Sequence, residues 1–473
     1  MTWPRVASEP RQGARAARPR LIIGAVLEKL SFVVIALALG CSHPHEQPPD
    51  ASGTGNLADA SVTSDGAVDA GVDAPSGLVG ITVLDFTSVP APGMTVVFQN
   101  ADGTVAAMTT TDAQGYASAT MLAGGSVTAE RPQRAGLSGR WFFSFTGVKP
   151  GDELLVGAAP SPTPTIFQTT FLLPTYPNTY DYQIVTDCGD GSVLGSAAAP
   201  IATLTMSCSP VNVYVAAKNM MISNATIAAL YAADVTVAPG GTVDLTGASY
   251  QPVTSMALDI SGVSSNVTQT FAEIGISDGQ TILDTEVAST GFGSNGEVTG
   301  TANVAVLPGT QFSVVTQLFS SGDQLASEEI LQRVAPSNAY TVDTATIDTA
   351  WLLDGVDYNV AAEQIEWTET AGAVSPDYAR AEIIVTQSHG FTREIAGPYQ
   401  PGRLAVPVLP SPLDEFNVTA GDNADVDKFY LATVPGGWDA VRATVFNWAV
   451  FTPPVALGET AVASAPTNGL VVN

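Results

Sequence analysis

From Val79 to the end, apolar side chains recur every second residue in short runs, and turn residues separate the runs. Met256, Leu258 and Ile260 alternate with polar or small neighbours, and Val211, Val213 and Val215 do the same. In Thr242-Val-Asp-Leu-Thr246 the pattern points Val243 and Leu245 inward and Asp244 outward, and Ala302, Val304 and Val306 continue the series. A side-chain period of two is that of a strand with one buried face. Pro239-Gly240-Gly241, Pro308-Gly309 and Pro435-Gly436-Gly437 punctuate the runs as turns. No comparable 3.6-residue period appears after residue 40. The expectation is an all-β protein of tandem antiparallel β-sandwiches.

The amino terminus is built differently. Residues 1–40 hold six cations (Arg5, Arg11, Arg15, Arg18, Arg20, Lys29) and two acids (Glu9, Glu28). An apolar run, Leu30 to Gly40, follows Lys29. A basic start and a short apolar run form the layout of an export signal. The run is too short to span a bilayer, which takes about 20 apolar residues. The extra Arg-rich length before it suggests that synthesis starts near Val26. Ala38-Leu39-Gly40-Cys41 resembles the lipobox of bacterial lipoproteins, with Ala38 in place of the usual Leu. That resemblance implies cleavage before Cys41, acylation of its thiol and anchorage in a membrane. Ser42, where proteins kept at the inner membrane carry Asp, implies the outer membrane.

Residues 41–76 read as the acylated Cys and a disordered acidic linker. Its Asp, Ala, Gly, Ser and Pro, without Lys, Arg or aromatics, bury too little to offset ordering entropy. His43 and His45 within it make at most a weak metal site.

Four blocks follow: 77–159, 166–238, 239–335 and 336–473. The first contains Pro92-Gly-Met-Thr-Val-Val-Phe-Gln-Asn-Ala-Asp-Gly103, then Thr109-Thr-Thr-Asp-Ala-Gln-Gly-Tyr-Ala-Ser118 and Gly124-Gly-Ser-Val-Thr128. These residues resemble the immunoglobulin-like domains of bacterial invasins and intimins, and are similar also to carboxypeptidase regulatory-like (transthyretin-like) domains. The two families are not separated by these residues. Both imply a non-catalytic β-sandwich. Locally, Asp112 is placed to cap a turn and Gly115 to take positive φ, which predicts a hairpin. Pro160 to Thr165 reads as a stiff joint. The second block holds Cys188 and Cys208, an even pair in an exported chain, so a disulfide is expected.

Charge and residue inventory exclude several chemistries. The chain has 17 Lys and Arg against 45 Asp and Glu, net −28, too acidic to displace phosphate counterions, so no nucleic-acid partner is expected. Residues 41–473 keep 11 of the cations and 43 of the acids, net −32. Beyond the linker the single histidine is His389, which rules out a multi-histidine metal centre. No Gly-x-Ser-x-Gly elbow, phosphate loop or dinucleotide fingerprint is present. Glu363, Glu366 and Glu369 surround Trp367, but a spacing of three puts neighbours on opposite faces of a strand. Asp422, Asp425 and Asp427 are the candidate ligands for a structural Ca²⁺, the one cofactor suggested. Trp351, Trp367, Trp438 and Trp448 fit a large core better than a sugar-binding face. The functional expectation is a non-enzymatic envelope lipoprotein presenting sandwiches for adhesion, matrix contact or scaffolding. Its partners would be the membrane, and protein or polysaccharide. The alternatives are a carbohydrate-binding accessory protein and a glycoside hydrolase with paired carboxylates.

Overall fold

The computed structural model describes residues 75–473 except 86, 133–138, 158–165, 195–198, 220–224, 266, 280–281, 293–297, 321–325, 350, 353–355, 387–389, 444–454, 467–469 and 472–473. Residues 1–40 and 41–473 separate as two units, and the first lies wholly outside the described residues, as do Cys41 and the linker to residue 74.

The protein is all β, built of face-packed sheets. In the first block Tyr116–Leu122, Ser76–Val83 and Glu153–Val156 form one sheet. It faces Val105–Thr110, Thr95–Gln99, Gly125–Arg131 and Arg140–Val148. Val79, Ile81 and Val83 from one side meet Val96, Phe98, Val127, Phe143 and Phe145 from the other, all buried. Asp112 accepts from the backbone N–H of Gln114 and Tyr116, each at 2.9 Å, and Gly115 has φ +71°. The turn forms as expected, but its flanking strands do not pair with each other. Val105–Thr110 pairs with Thr95–Gln99, and Tyr116–Leu122 pairs with Ser76–Val83. The turn therefore carries the chain from one sheet to the opposite one.

The second block, with Gln251–Pro252 of the third, forms a five-stranded sheet in the order Gly189–Leu194, Asp181–Thr186, Val211–Asn219, Ala225–Val235, Gln251–Pro252. It packs through Tyr182, Ile184, Val213 and Val215 onto Phe171, Leu204 and Met206 of a three-stranded sheet. Leu245 is buried and Asp244 exposed, as their alternation requires. The opposite face of the five-stranded sheet, at Tyr214, Ala216 and Ala229, joins the core of the third block. There Met256, Leu258 and Ile260 on Thr254–Ser261 face Ile274, Ile276, Phe312 and Val314. The alternation read through Val306 breaks: the strand Val298–Val304 ends at Val304, Val306 is 40% exposed, and Ala305 and Leu307 are buried instead.

Backbone pairing then runs across three sequence blocks in a 13-stranded sheet. Ala326–Val334 of the third block pairs antiparallel with Thr460–Pro466 of the fourth. Thr460–Pro466 pairs with Ala424–Thr433, which pairs with Tyr378–Val385, which pairs with Phe391–Pro398. Phe391–Pro398 pairs in parallel with Arg140–Val148 of the first block, from Phe391 opposite Arg140 to Ala396 opposite Phe145. One face of this region packs through Ala381, Ile383, Ile395, Phe429 and Leu431 onto Ile365, Trp367 and Leu404 of a small sheet. The other presents Tyr378, Ala396 and Ala432 to the first block's core, joined by Trp438 and Val441 of the helix Gly437–Ala443. Seven residues are too few to imprint a helical period on a sequence otherwise set in twos. Among the described residues no helix is long and apolar enough to cross a membrane.

Candidate functional site

Among the described residues, a group of buried charges lies where the first and fourth blocks join. In Tyr378–Val385 and Phe391–Pro398 the strand period puts Arg380 and Glu382 on one face, with Glu394 directly opposite Glu382. On the next strand Lys428 lies opposite Glu382 and Tyr430 opposite Arg380. Arg380 Nη2 meets Glu394 Oε2 at 2.7 Å, with side chains 10% and 4% exposed. Lys428 Nζ meets Glu382 Oε2 at 2.7 Å. Burial pushes the Glu382 carboxyl up, against the pull of the Lys428 hydrogen bond and charge. Burial opposes the Lys428 charge, yet the bonded Glu382 carboxylate raises its ammonium overall. The two shifts pull opposite ways on one contact. Since Lys428 is half-exposed and water can support its charge, the contact is an ion pair.

Arg380 also lies over the Tyr430 ring at 6.0 Å, and Arg131 over Trp141 at 5.6 Å. Burial lowers the Arg131 guanidinium, while the Glu394 charge raises it. On the opposite face Arg393 is 1% exposed and donates to the Pro407 carbonyl at 2.6 Å, burial pushing it down to about 10. Beside this region, Arg442 of the helix contacts both Asp152 and Asp439, and Lys149 reaches Asp439 at 2.8 Å. Glu382 and Glu394 are matched by cations from neighbouring strands of the fourth block, while the contacts of Arg442 with Asp152 and of Lys149 with Asp439 tie that block to the first.

The residues singled out in the sequence fall elsewhere. Cys188 and Cys208 are bridged, with Cα atoms 5.9 Å apart. Cys41 and His389 lie outside the described residues. Asp422 lines a cavity of about 410 Å³ with Asp357, Tyr358, Asn359 and Thr419. Its Oδ2 accepts from Thr419 N at 2.6 Å and Oγ1 at 2.9 Å. Asp425 and Asp427 lie on the strand beyond, and Asp427 leans to Lys428 Nζ at 3.7 Å. The three are not gathered: among the described residues no group of three or more His, Cys, Asp or Glu is placed to hold a metal. Glu366 accepts from Asn359 at 3.0 Å and from Gln364. Glu369 accepts from Trp367 and Tyr399. Glu363 stands in the turn between two strands at φ +51°. These three do not converge on a cleft. Trp367 and Trp438 are both core residues. The side chain of Trp351, and all of Trp448, are outside the described residues.

Sequence reading missed the charged seam. Its signal was faint: with 17 Lys and Arg in the chain, Arg380, Arg393 and Lys428 sit inside strand patterns rather than in turns.

No protein family matches the sequence, and no curated protein matches it. Several solved structures overlap with it. The Bacillus anthracis TIE protein is 11% identical over 57% of this chain, with a TM-score of 0.15, and this chain spans 50% of that protein. A mutant of the shaft pilin SpaA from Lactobacillus rhamnosus GG is 12% identical, covering 38% of this chain and 98% of that one, with a TM-score of 0.14. The tip fimbrial protein Mfa3 from Porphyromonas gingivalis is 8% identical, covering 50% of this chain and 100% of that one, with a TM-score of 0.15. At TM-scores this low the overlaps carry no argument about function.

Proposed function

We propose that this chain is an exported, non-enzymatic body for surface adhesion or envelope scaffolding, tethered to the outer membrane through acylated Cys41. The observation that carries the reading is the backbone ladder joining the third, fourth and first blocks into one sheet. Tandem modules that need only flexible display require a linker between them. Here strands distant in sequence pair directly, and ion pairs of Asp152 with Arg442 and of Lys149 with Asp439 tie the first block to the fourth. Such a body transmits force through main-chain hydrogen bonds and keeps its faces fixed relative to one another. A Trp-based sugar platform finds no support in Trp367 and Trp438, which are spent on the core.

Protease shaving of intact cells, compared with cells expressing Cys41→Ala, tests this. Surface presentation predicts accessible fragments from residues 75–473 and their release into the medium when Cys41 is replaced. Absence of accessible fragments on intact cells, with full cleavage after outer-membrane permeabilisation, would place the body in the periplasm and defeat the adhesive role.

A further inference from the structure

The cavity beside Asp422 lies between the strand Asp357–Asn359 and the turn at 418–422. At about 410 Å³ it falls within the range of about 300–1,000 Å³ usual for small-ligand pockets. Hydrogen bonds set both walls. Asp422 Oδ2 holds the turn through Thr419 N and Oγ1, and Gly421 bends it at φ +96°. On the strand side, Asn359 Oδ1 accepts from Ala361 N at 3.1 Å and Ala362 N at 3.0 Å, while its Nδ2 donates to Glu366.

The charges here are left unmatched, unlike those of the seam. Glu382 and Glu394 each meet a cation. Asp422 Oδ1 accepts from no described residue. Asp357 is exposed and has neither a hydrogen bond nor an ion pair among the described residues. Arg393, whose charge acts on Tyr358, is committed to the Pro407 carbonyl and Asn417 Oδ1. Tyr358, Val360, Val418 and Ala420 supply apolar lining. Tyr358 is 4% exposed, and its hydroxyl, held protonated by burial, has no hydrogen-bond partner among the described residues.

Two acceptor-only carboxylates repel an anion. A Ca²⁺ ion takes about six to eight oxygens, and no three metal-binding side chains gather among the described residues. An ammonium on an aliphatic stem fits both halves of the lining, its head on the carboxylates and its stem on the apolar groups. Thr419 already occupies one Asp422 oxygen, so that carboxylate cannot grip an arginine fork, and a compact ammonium suits it better. The strand Asp357–Asn359 is the outermost of its sheet, so one of its edges has no strand beside it among the described residues. An extended segment can lie along such an edge and lower a side chain into the cavity.

We propose that this cavity docks a lysine side chain of a partner protein, carried on an extended segment beside Asp357–Asn359. The inference names a partner chemistry that the adhesive reading leaves open, and it depends neither on surface display nor on Cys41.

Methyl resonances of the purified full chain, labelled at alanine and valine, test it in solution. The probe is a blocked pentapeptide of glycines with one central lysine. It should shift the Val360, Val418 and Ala420 methyls saturably and leave Val79 of the first block unmoved. The same peptide with norleucine in place of lysine should not shift them. Asp357→Asn should weaken binding by about fivefold, the upper end for an exposed ion pair. Asp422→Asn, whose amide oxygen still accepts from Thr419, should do the same and carries the comparison if the first variant misfolds. No saturable shift up to about 50 mM peptide overturns the proposal. So does equal binding of the norleucine peptide, or native affinity in a folded variant. Pentylamine should bind more weakly than the lysine peptide, and equal affinity overturns a protein segment as the source.

Discussion

Arg380 and Glu394 lie on adjacent strands, 2.7 Å apart at their charged atoms, on the sheet face turned toward the first block's core. Removing one member leaves the other buried and unmatched, which typically costs about 3–5 kcal/mol. Glu394→Ala should lower the denaturation midpoint accordingly. The paired replacement Arg380→Met with Glu394→Leu should recover much of that loss, because an apolar pair escapes the desolvation penalty. Guanidinium unfolding of the three chains checks both expectations.

Glu328 supplies the sharpest pH dependence. It is 0% exposed, accepts one hydrogen bond from Thr349 N at 2.7 Å, and its Oε2 has no partner. Burial pushes its carboxyl up to about 8. The folded state thus keeps a proton that the unfolded chain sheds near 4.5, so stability is highest below 4.5 and falls as pH rises toward 8. The slope is about 1.4 kcal/mol per pH unit for one proton. Glu328→Gln should flatten this part of the profile and stabilise the protein most at pH 8 and above, as urea melts across the range would show.

The parallel join between blocks depends on a residue without a side chain. A Cβ at Gly397 would run into Thr146 Oγ1 of the neighbouring strand. Gly397→Val should therefore cost about 1–3 kcal/mol through overpacking. The loss should be concentrated at the join: amide exchange should rise along Arg140–Val148 and Phe391–Pro398 before it rises at Met256 or Leu258.

Cys188 and Cys208 close a loop with a sequence separation of 20. Replacing both by Ala should reduce the stability of the second block by about 3 kcal/mol in the chain-entropy account. Calorimetry of the variant, with the native chain under reducing conditions alongside, checks this.

Local features of the fold were readable because they are written in neighbouring residues. Met256, Leu258 and Ile260 alternate in sequence and are all buried. Asp112 and Gly115 make their turn with atoms a few residues away. The pairing of Phe391–Pro398 with Arg140–Val148 leaves no such trace, because either strand looks the same with or without a distant neighbour. Glu328 misleads for a related reason. A charged residue within a strand reads as solvent-facing, yet both faces of this strand are buried, Ile330 on one and Leu331 on the other. The Glu382 charge was hidden likewise: its partner Lys428 comes from a strand whose adjacency only the folded sheet establishes.

The parallel join has a consequence for biogenesis. A chain delivered from its amino terminus presents Arg140–Val148 long before Phe391–Pro398 exists to cover it. During that interval the first sandwich has a strand whose outer hydrogen-bonding groups are unmatched, a recognised template for wrong pairing. Closing the sheet must also wait for a contact of very large sequence separation, which slows folding. Folding of this protein should therefore place a premium on chaperones that shield a half-finished sheet. Truncations ending before residue 391 should aggregate where the full chain stays dispersed.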